Sequence, residues 1–337
     1  MALQFGVFDH LDDNGGSLGE LYASRLRLIE QYDRAGFRSY HLAEHHSTPL
    51  GMAPSPSVFL AAVAQRTTRL RFGPLLYVTP LYHPLRLAEE VVMLDHMSGG
   101  RLELGLGRGA SPIEIAGFDV DAATAPARNV EATAVILKAL ASDVLNHDGD
   151  YYHFKNVRMA AHPLQRPHPP LWMAPTEPDR TKFAARAGAN IVTLVPNPMV
   201  KPIGDAFRAE LAALGRPADQ ALVGLTRHIV VAETDDQARE IARAAYRTWR
   251  HYMAFLWEWA GMAFPIAFIY PDEFEALQAM GMGVAGNPDT VRRWIETVAA
   301  ETGINYLVCD PVFGSMPEAA ASRSIDLLAR EVMPAFR

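Results

Sequence analysis

The sequence predicts an α/β protein whose strands close into a (β/α)8 barrel. Strand-like and helix-like runs alternate through all 337 residues, eight βα units can be counted without a composition shift that would mark a linker, and polar residues gather where the strand-like runs end. An open doubly wound sheet shows the same alternation and stays as the alternative, because alternation alone does not establish closure. The chain from 1 to 337 reads as one domain with two insertion segments, near 146–168 and 255–288.

The elements follow in order. Residues 3–8 alternate as a strand, within a run from Met1 that lacks a positively charged start. Residues 18–35 place Leu21, Leu28 and Ile29 on one helical face and stop at Gly36. A strand over 39–43 follows, then a helix over 55–67 and a strand over 70–78. Pro84 opens a helix over 84–97 at a first-turn position where its missing N–H costs nothing. Residues 101–106 form the next strand, 128–142 a helix, 151–157 a short β insertion and 171–174 a buried strand. Strands at 190–195, 222–231 and 306–309 and a last helix over 319–331 complete the pattern.

A hydrophobic content of 49% suits a large core, and a formal net charge of -7 argues against a dedicated binder of nucleic acid or anionic membrane. No run of about 18 apolar residues suggests a membrane span. The single cysteine, Cys309, excludes an intrachain disulfide, and the expected location is the cytoplasm.

Three histidines and a carboxylate crowd into His41-Leu42-Ala43-Glu44-His45-His46. On a helix, His41, Glu44 and His45 would fit the H-x-x-E-H zinc pattern. The flanks favour a strand end: the segment follows a glycine-terminated helix by a few residues, contains Tyr40 and closes at Thr48-Pro49, so no metal is expected. His41 and His46 read as structural. His45, at a strand end, can exchange protons near neutral pH.

Gly105-Leu106-Gly107-Arg108-Gly109 has G-x-G-x-G spacing and runs into Ser111-Pro112, which does not suit a dinucleotide fingerprint. The glycines suit close approach to a flat ligand, with Arg108 offering a fork of donors to a phosphate. Thr176-Glu177-Pro178-Asp179-Arg180-Thr181 precedes an alanine-rich helix and offers hydroxyls, N–H groups and an arginine to an anion, though Thr176 or Asp179 would equally serve as an ordinary N-cap. Arg128 opens another helix. From Tyr246 to Phe268 the chain is rich in aromatics and Met, as core, lid, substrate wall or subunit contact.

Ala43-Glu44-His45-His46, Val78-Thr79-Pro80 with His83-Pro84, Leu94-Asp95-His96-Met97-Ser98-Gly99-Gly100-Arg101, the Gly105 to Gly109 run and Val332-Met333-Pro334 resemble, in order and spacing, the bacterial luciferase family of flavin-dependent monooxygenases. The resemblance implies a luciferase-like (β/α)8 barrel that binds FMN at its carboxyl end, as a homodimer packed through barrel helices. It implies that His45 is the catalytic histidine, supported by Glu44 or a backbone group, and that Arg108, Arg128 and the loop with Thr176, Arg180 and Thr181 bind phosphate. It also implies a non-proline cis peptide at Leu75-Leu76. The activity it implies is a two-component monooxygenase: reduced FMN from a separate flavin reductase reacts with O2 to a flavin 4a-hydroperoxide, which oxidises a small aldehyde, ketone or hydrocarbon. Sister families imply two alternatives, hydride transfer with a deazaflavin coenzyme and a non-catalytic flavin binder. Gly107 replaces the reactive cysteine of luciferases, and Thr176 stands where they carry a glutamate, so light emission is not expected.

Overall fold

The computed structural model describes residues 2–217, 220–267 and 269–336, so Met1 of the first run and Phe268 of the aromatic run lie outside the described residues. Its strands are β1 (Gln4–Asp9), β2 (Ser39–Leu42), β3 (Arg71–Pro74), β4 (Tyr77–Val78), β5 (Leu104–Gly107), β6 (Val144–Asp148), β7 (His153–Arg158), β8 (Leu171–Met173), β9 (Asn190–Thr193), β10 (Val223–Val231), β11 (Gly283–Gly286) and β12 (Tyr306–Asp310). Ten of them form one parallel sheet in the order β3-β2-β1-β12-β10-β9-β8-β5-β4, with β11 on the carboxyl half of β10. The two ends of that path, β3 and β4, are separated only by Leu75 and Leu76, and Phe72 bridges to Leu102 beside β5. The sheet therefore returns on itself as a nearly closed barrel, and the open doubly wound alternative is excluded.

Two expectations change in detail. The strand expected over 70–78 is split by the cis Leu75-Leu76 peptide into β3 and β4. Gly283–Gly286, placed by sequence within an irregular insertion, is β11 of the barrel sheet; two glycines and an alanine in four positions carry no strand signature. The 146–168 segment holds much of the antiparallel β6-β7 pair. Among the described residues, no helix is long and apolar enough to cross a membrane.

Local signals explain the helix boundaries. Ser17 accepts from Glu20 N at the start of Leu18–Ala35, and Gly36 ends it with φ 85°, a left-handed conformation that favours glycine. Alternation then divides the apolar residues. Val7, Leu42, Leu171, Ile191, Leu225 and Leu307 face the helices. Their neighbours Phe8, Ala43, Trp172, Val192, Tyr306 and Val308 fill the barrel interior together with Leu75 and Leu222.

At the amino end of the barrel the interior is ionic. Glu103 is fully buried just before β5, and its carboxylate accepts from Arg38 Nη1 at 2.7 Å, Arg71 Nε at 2.9 Å, Ser39 Oγ at 3.0 Å and Trp172 Nε1 at 2.9 Å. Burial pushes this carboxyl up, but Arg38, His41 and Arg71 outweigh it and hold Glu103 below the ordinary glutamate value. Its contribution to stability is thus complete above the unfolded value of about 4.3 and is lost as pH falls through the lower folded one. Replacing Glu103 with Gln should cost about 3 kcal/mol, because two guanidinium groups lose their counter-charge. Urea unfolding of Glu103→Gln at neutral pH measures it; a loss under about 1 kcal/mol would contradict this account.

Candidate active site

The carboxyl end of the barrel has the opposite character. Continuing the inward alternation beyond Phe8, Val308 and Leu222 places His10, Asp310, Thr226 and His228 above the apolar layers. All four are buried. His228 Nδ1 lies 3.1 Å from Asp310 Oδ2, and His10 Nδ1 lies 4.0 Å from the same oxygen. Together with Phe8, Arg227, Trp249 and Tyr270 they border a cavity of about 20 Å³, room for a single water-sized group. Burial, with Arg227 adding to it, pushes His228 down to about 3, and burial raises the carboxyl of Asp310 well above the usual range. This layer is therefore largely uncharged. Thr226, His228 and Asp310 were not among the residues expected from the sequence, where the one local signal is the polar break Thr226-Arg227-His228 inside an apolar strand.

The residues of the histidine cluster go to different partners. β2 ends at Leu42, so no helical zinc face forms. His41 is buried in the barrel with Nε2 2.8 Å from Tyr306 Oη. Glu44 accepts from Val78 N at 3.0 Å and Tyr82 Oη at 2.9 Å, and meets His46 Nε2 at 2.8 Å. The expected support of His45 by Glu44 or a backbone group is not what the structure shows. That task falls to Glu114, whose Oε1 lies 3.1 Å from His45 Nδ1 and accepts from His46 N at 2.7 Å.

Glu114 belongs to the short helix Pro112–Ala116, where Ser111 is the N-cap and accepts from Glu114 N. Ser-x-x-Glu usually marks a glutamate folded back on its own helix start, so the pattern carries no sign of a distant partner. Here the carboxylate reaches across to another loop instead. Burial pushes the His45 imidazole down, but Glu114, with Glu44 and Asp12, outweighs it and holds the ring above the ordinary histidine value. His45 Nε2 has no partner among the described residues.

The expected cofactor residues line the same end. Leu75 is buried in the interior cluster and Leu76 packs on it half-buried. Glycines in and just after β5 make room for this packing: a Cβ on Gly107 would stand 2.2 Å from Leu76 Cδ1, and one on Gly109 2.6 Å from Val78 Cγ1. Arg108 is exposed and Arg128 reaches Thr124 Oγ1 at 3.2 Å, over the Tyr151 ring at 4.5 Å; neither meets a carboxylate among the described residues. Because Gly105 pairs with Trp172, the loops opening at Arg108 and Ala174 leave the barrel side by side. Thr79 ties the Arg128 helix to this corner, with Oγ1 2.8 Å from Asn129 Oδ1 and 3.3 Å from Gly107 O. Thr176 and Arg180 are exposed, with Arg180 near Glu177 at 3.7 Å. Thr181 differs from expectation: it is buried, and its hydroxyl donates to Pro178 O at 2.6 Å, where it braces the helix start.

The aromatic run divides. Tyr246 and Trp249 are core residues of the helix Asp235–Trp259, whereas Trp259 is 82% exposed.

Residues 3–306 match the family model described as luciferase-like monooxygenase, and the chain belongs to that family. It is accordingly a monooxygenase. It is 41% identical over 333 residues to uncharacterized protein y4wF of Sinorhizobium fredii, covering 98% of this chain and 96% of that one. The flavin-dependent trigonelline monooxygenase, oxygenase component, of Acinetobacter baylyi is 30% identical over 71% of this chain and 68% of its own length. Among solved structures, the oxygenating constituent of 3,6-diketocamphane monooxygenase of Pseudomonas putida, a type II Baeyer-Villiger monooxygenase in complex with FMN, superposes with a TM-score of 0.84 at 21% identity, covering 99% of both chains.

If Glu114 sustains the proton on His45, Glu114→Gln should lower the midpoint at which the His45 ring titrates. Histidine-ring NMR resolves this, and an unmoved midpoint would refute the assignment.

Proposed function

We propose that this chain is the oxygenase component of a two-component monooxygenase that uses O2 and reduced FMN, supplied by a separate flavin reductase, to oxidise a small apolar aldehyde, ketone or hydrocarbon. The observation that carries this is His45: at the barrel mouth, with Nδ1 tied to Glu114, it keeps Nε2 for a reacting group. The FMN in the 3,6-diketocamphane relative and the "oxygenase component" description of the trigonelline relative support the reading.

The residues present fit FMN. Arg108 and Arg128, each without a carboxylate partner among the described residues, would hold its phosphate, with Thr176 and Arg180 bordering them; Leu75 and Leu76 offer an apolar wall to its ring. Bound FMN supplies the reactivity toward oxygen. The protein orients the reactants and excludes water. His45 holds a proton at Nε2 for the oxygen atom undergoing reaction, while Glu114 fixes the Nδ1 side. Glu44 supports the loop through His46, Val78 and Tyr82, one step away from the chemistry.

A homodimer belongs to the same reading. The adjacent helices Pro56–Arg66 and Pro84–Met97 expose Val58 at 73% and Met93 at 61%, which a second copy would cover.

His45→Ala should retain reduced-FMN binding and lose oxygen-dependent product, by at least about 100-fold. Arg108→Ala should weaken FMN by about tenfold or more, read by fluorescence titration. Turnover with a deazaflavin coenzyme and no oxygen, together with inert reduced FMN, would overturn the reading.

A further inference from the structure

We propose that His10 is a second active-site imidazole, a neutral donor whose Nε2–H donates to the oxygen atom on which His45 acts. The inference rests on the functional reading above and adds a residue and a role to it.

The geometry sets the role. His10 follows β1 on its inward-facing side, and its ring stacks on that of His45 with centroids 5.6 Å apart and planes 26° from parallel. Trp249 Nε1 lies 3.4 Å from His10 Nδ1. An indole nitrogen only donates, so Nδ1 accepts and the proton of His10 sits on Nε2. That N–H has no partner among the described residues, and it is not one of the polar atoms sealed inside the protein without one. An aromatic filler between Phe8 and Trp249 would need a ring but no N–H.

The charges facing His10 keep it in this form. Burial, then His45, His228 and Arg25, all push its imidazole well below the ordinary value. Asp310, at 4.0 Å from Nδ1, has its own carboxyl pushed well above the usual range by burial and does not offset these effects on His10. His45, beside Glu114, is pushed the other way. Two neighbouring imidazoles with opposed environments divide the work of a proton carrier and a neutral donor. A donor already fixed in a dry site stabilises charge growing on an oxygen without reorganising.

The recipient is an oxygen acceptor that gains negative charge, and two sources share that chemistry: an oxygen derived from O2, or the carbonyl oxygen of the organic substrate. The test compares wild type with His10→Phe, which keeps a ring and removes the N–H, and with His10→Gln, which restores a donor without the ring. Ring 15N NMR of the protein without FMN should show His10 protonated at Nε2 and bare at Nδ1 between about pH 6 and about pH 8. Reduced FMN is then mixed with oxygen, with and without a medium-chain aldehyde as probe. His10→Phe should bind FMN normally and lower product formation about 100-fold, with His10→Gln recovering at least about a tenth of wild type. A changed rate of hydrogen peroxide release without aldehyde assigns the donor to the O2-derived oxygen; a change only with aldehyde assigns it to the carbonyl. A proton on Nδ1, or wild-type rates in His10→Phe with FMN bound, overturns the inference. Failure of the wild type to bind reduced FMN would count against the functional reading instead.

Discussion

Glu103 is the constraint on which the barrel depends. A carboxylate enclosed in protein costs several kcal/mol unless charge and hydrogen bonds surround it, and this one draws its partners from the starts of β2 and β3 and from β8. Those contacts pin neighbouring strands in one register. Since inward and outward positions alternate, a slip of one residue would turn every interior side chain toward the helices. β2, held in this way at its start, delivers Glu44, His45 and His46 just beyond its other end.

The two ends of the interior thus solve opposite electrostatic problems. Near the floor, an acid stays ionised because guanidinium groups outweigh its burial. At the mouth, burial pushes His10 and His228 down and the Asp310 carboxyl up, while His45 is held toward its cationic form by a carboxylate from another loop. The apolar layers of Phe8, Val308 and Val192 insulate one from the other.

The alternation of elements made the barrel legible, since a period of two and a period of 3.6 leave different traces. β11 was illegible because Gly283, Ala285 and Gly286 earn their strand from pairing with β10 and not from propensity. His45 could be singled out because its cluster is local in sequence. Its partner could not: Glu114 lies 69 residues away, in a pattern that signals a helix cap. The same holds for Asp310 and Trp249, which only closure of the barrel brings to His10. Thr181 looked like an anion ligand because a hydroxyl at a helix start serves either an anion or its own turn, and only the bond to Pro178 O distinguishes them.

The loop after β5 carries Arg108 at one end and Glu114 at the other. An anion on Arg108 that steadied that loop would also steady the carboxylate against His45, and ligand and proton would then favour each other's binding by the same factor. An anion bound in this way would draw a proton from solvent, and acidifying the solution would tighten it. Nothing has to move far for this. One short helix, by facing an imidazole with its third residue, links the Arg108 loop to the protonation of His45.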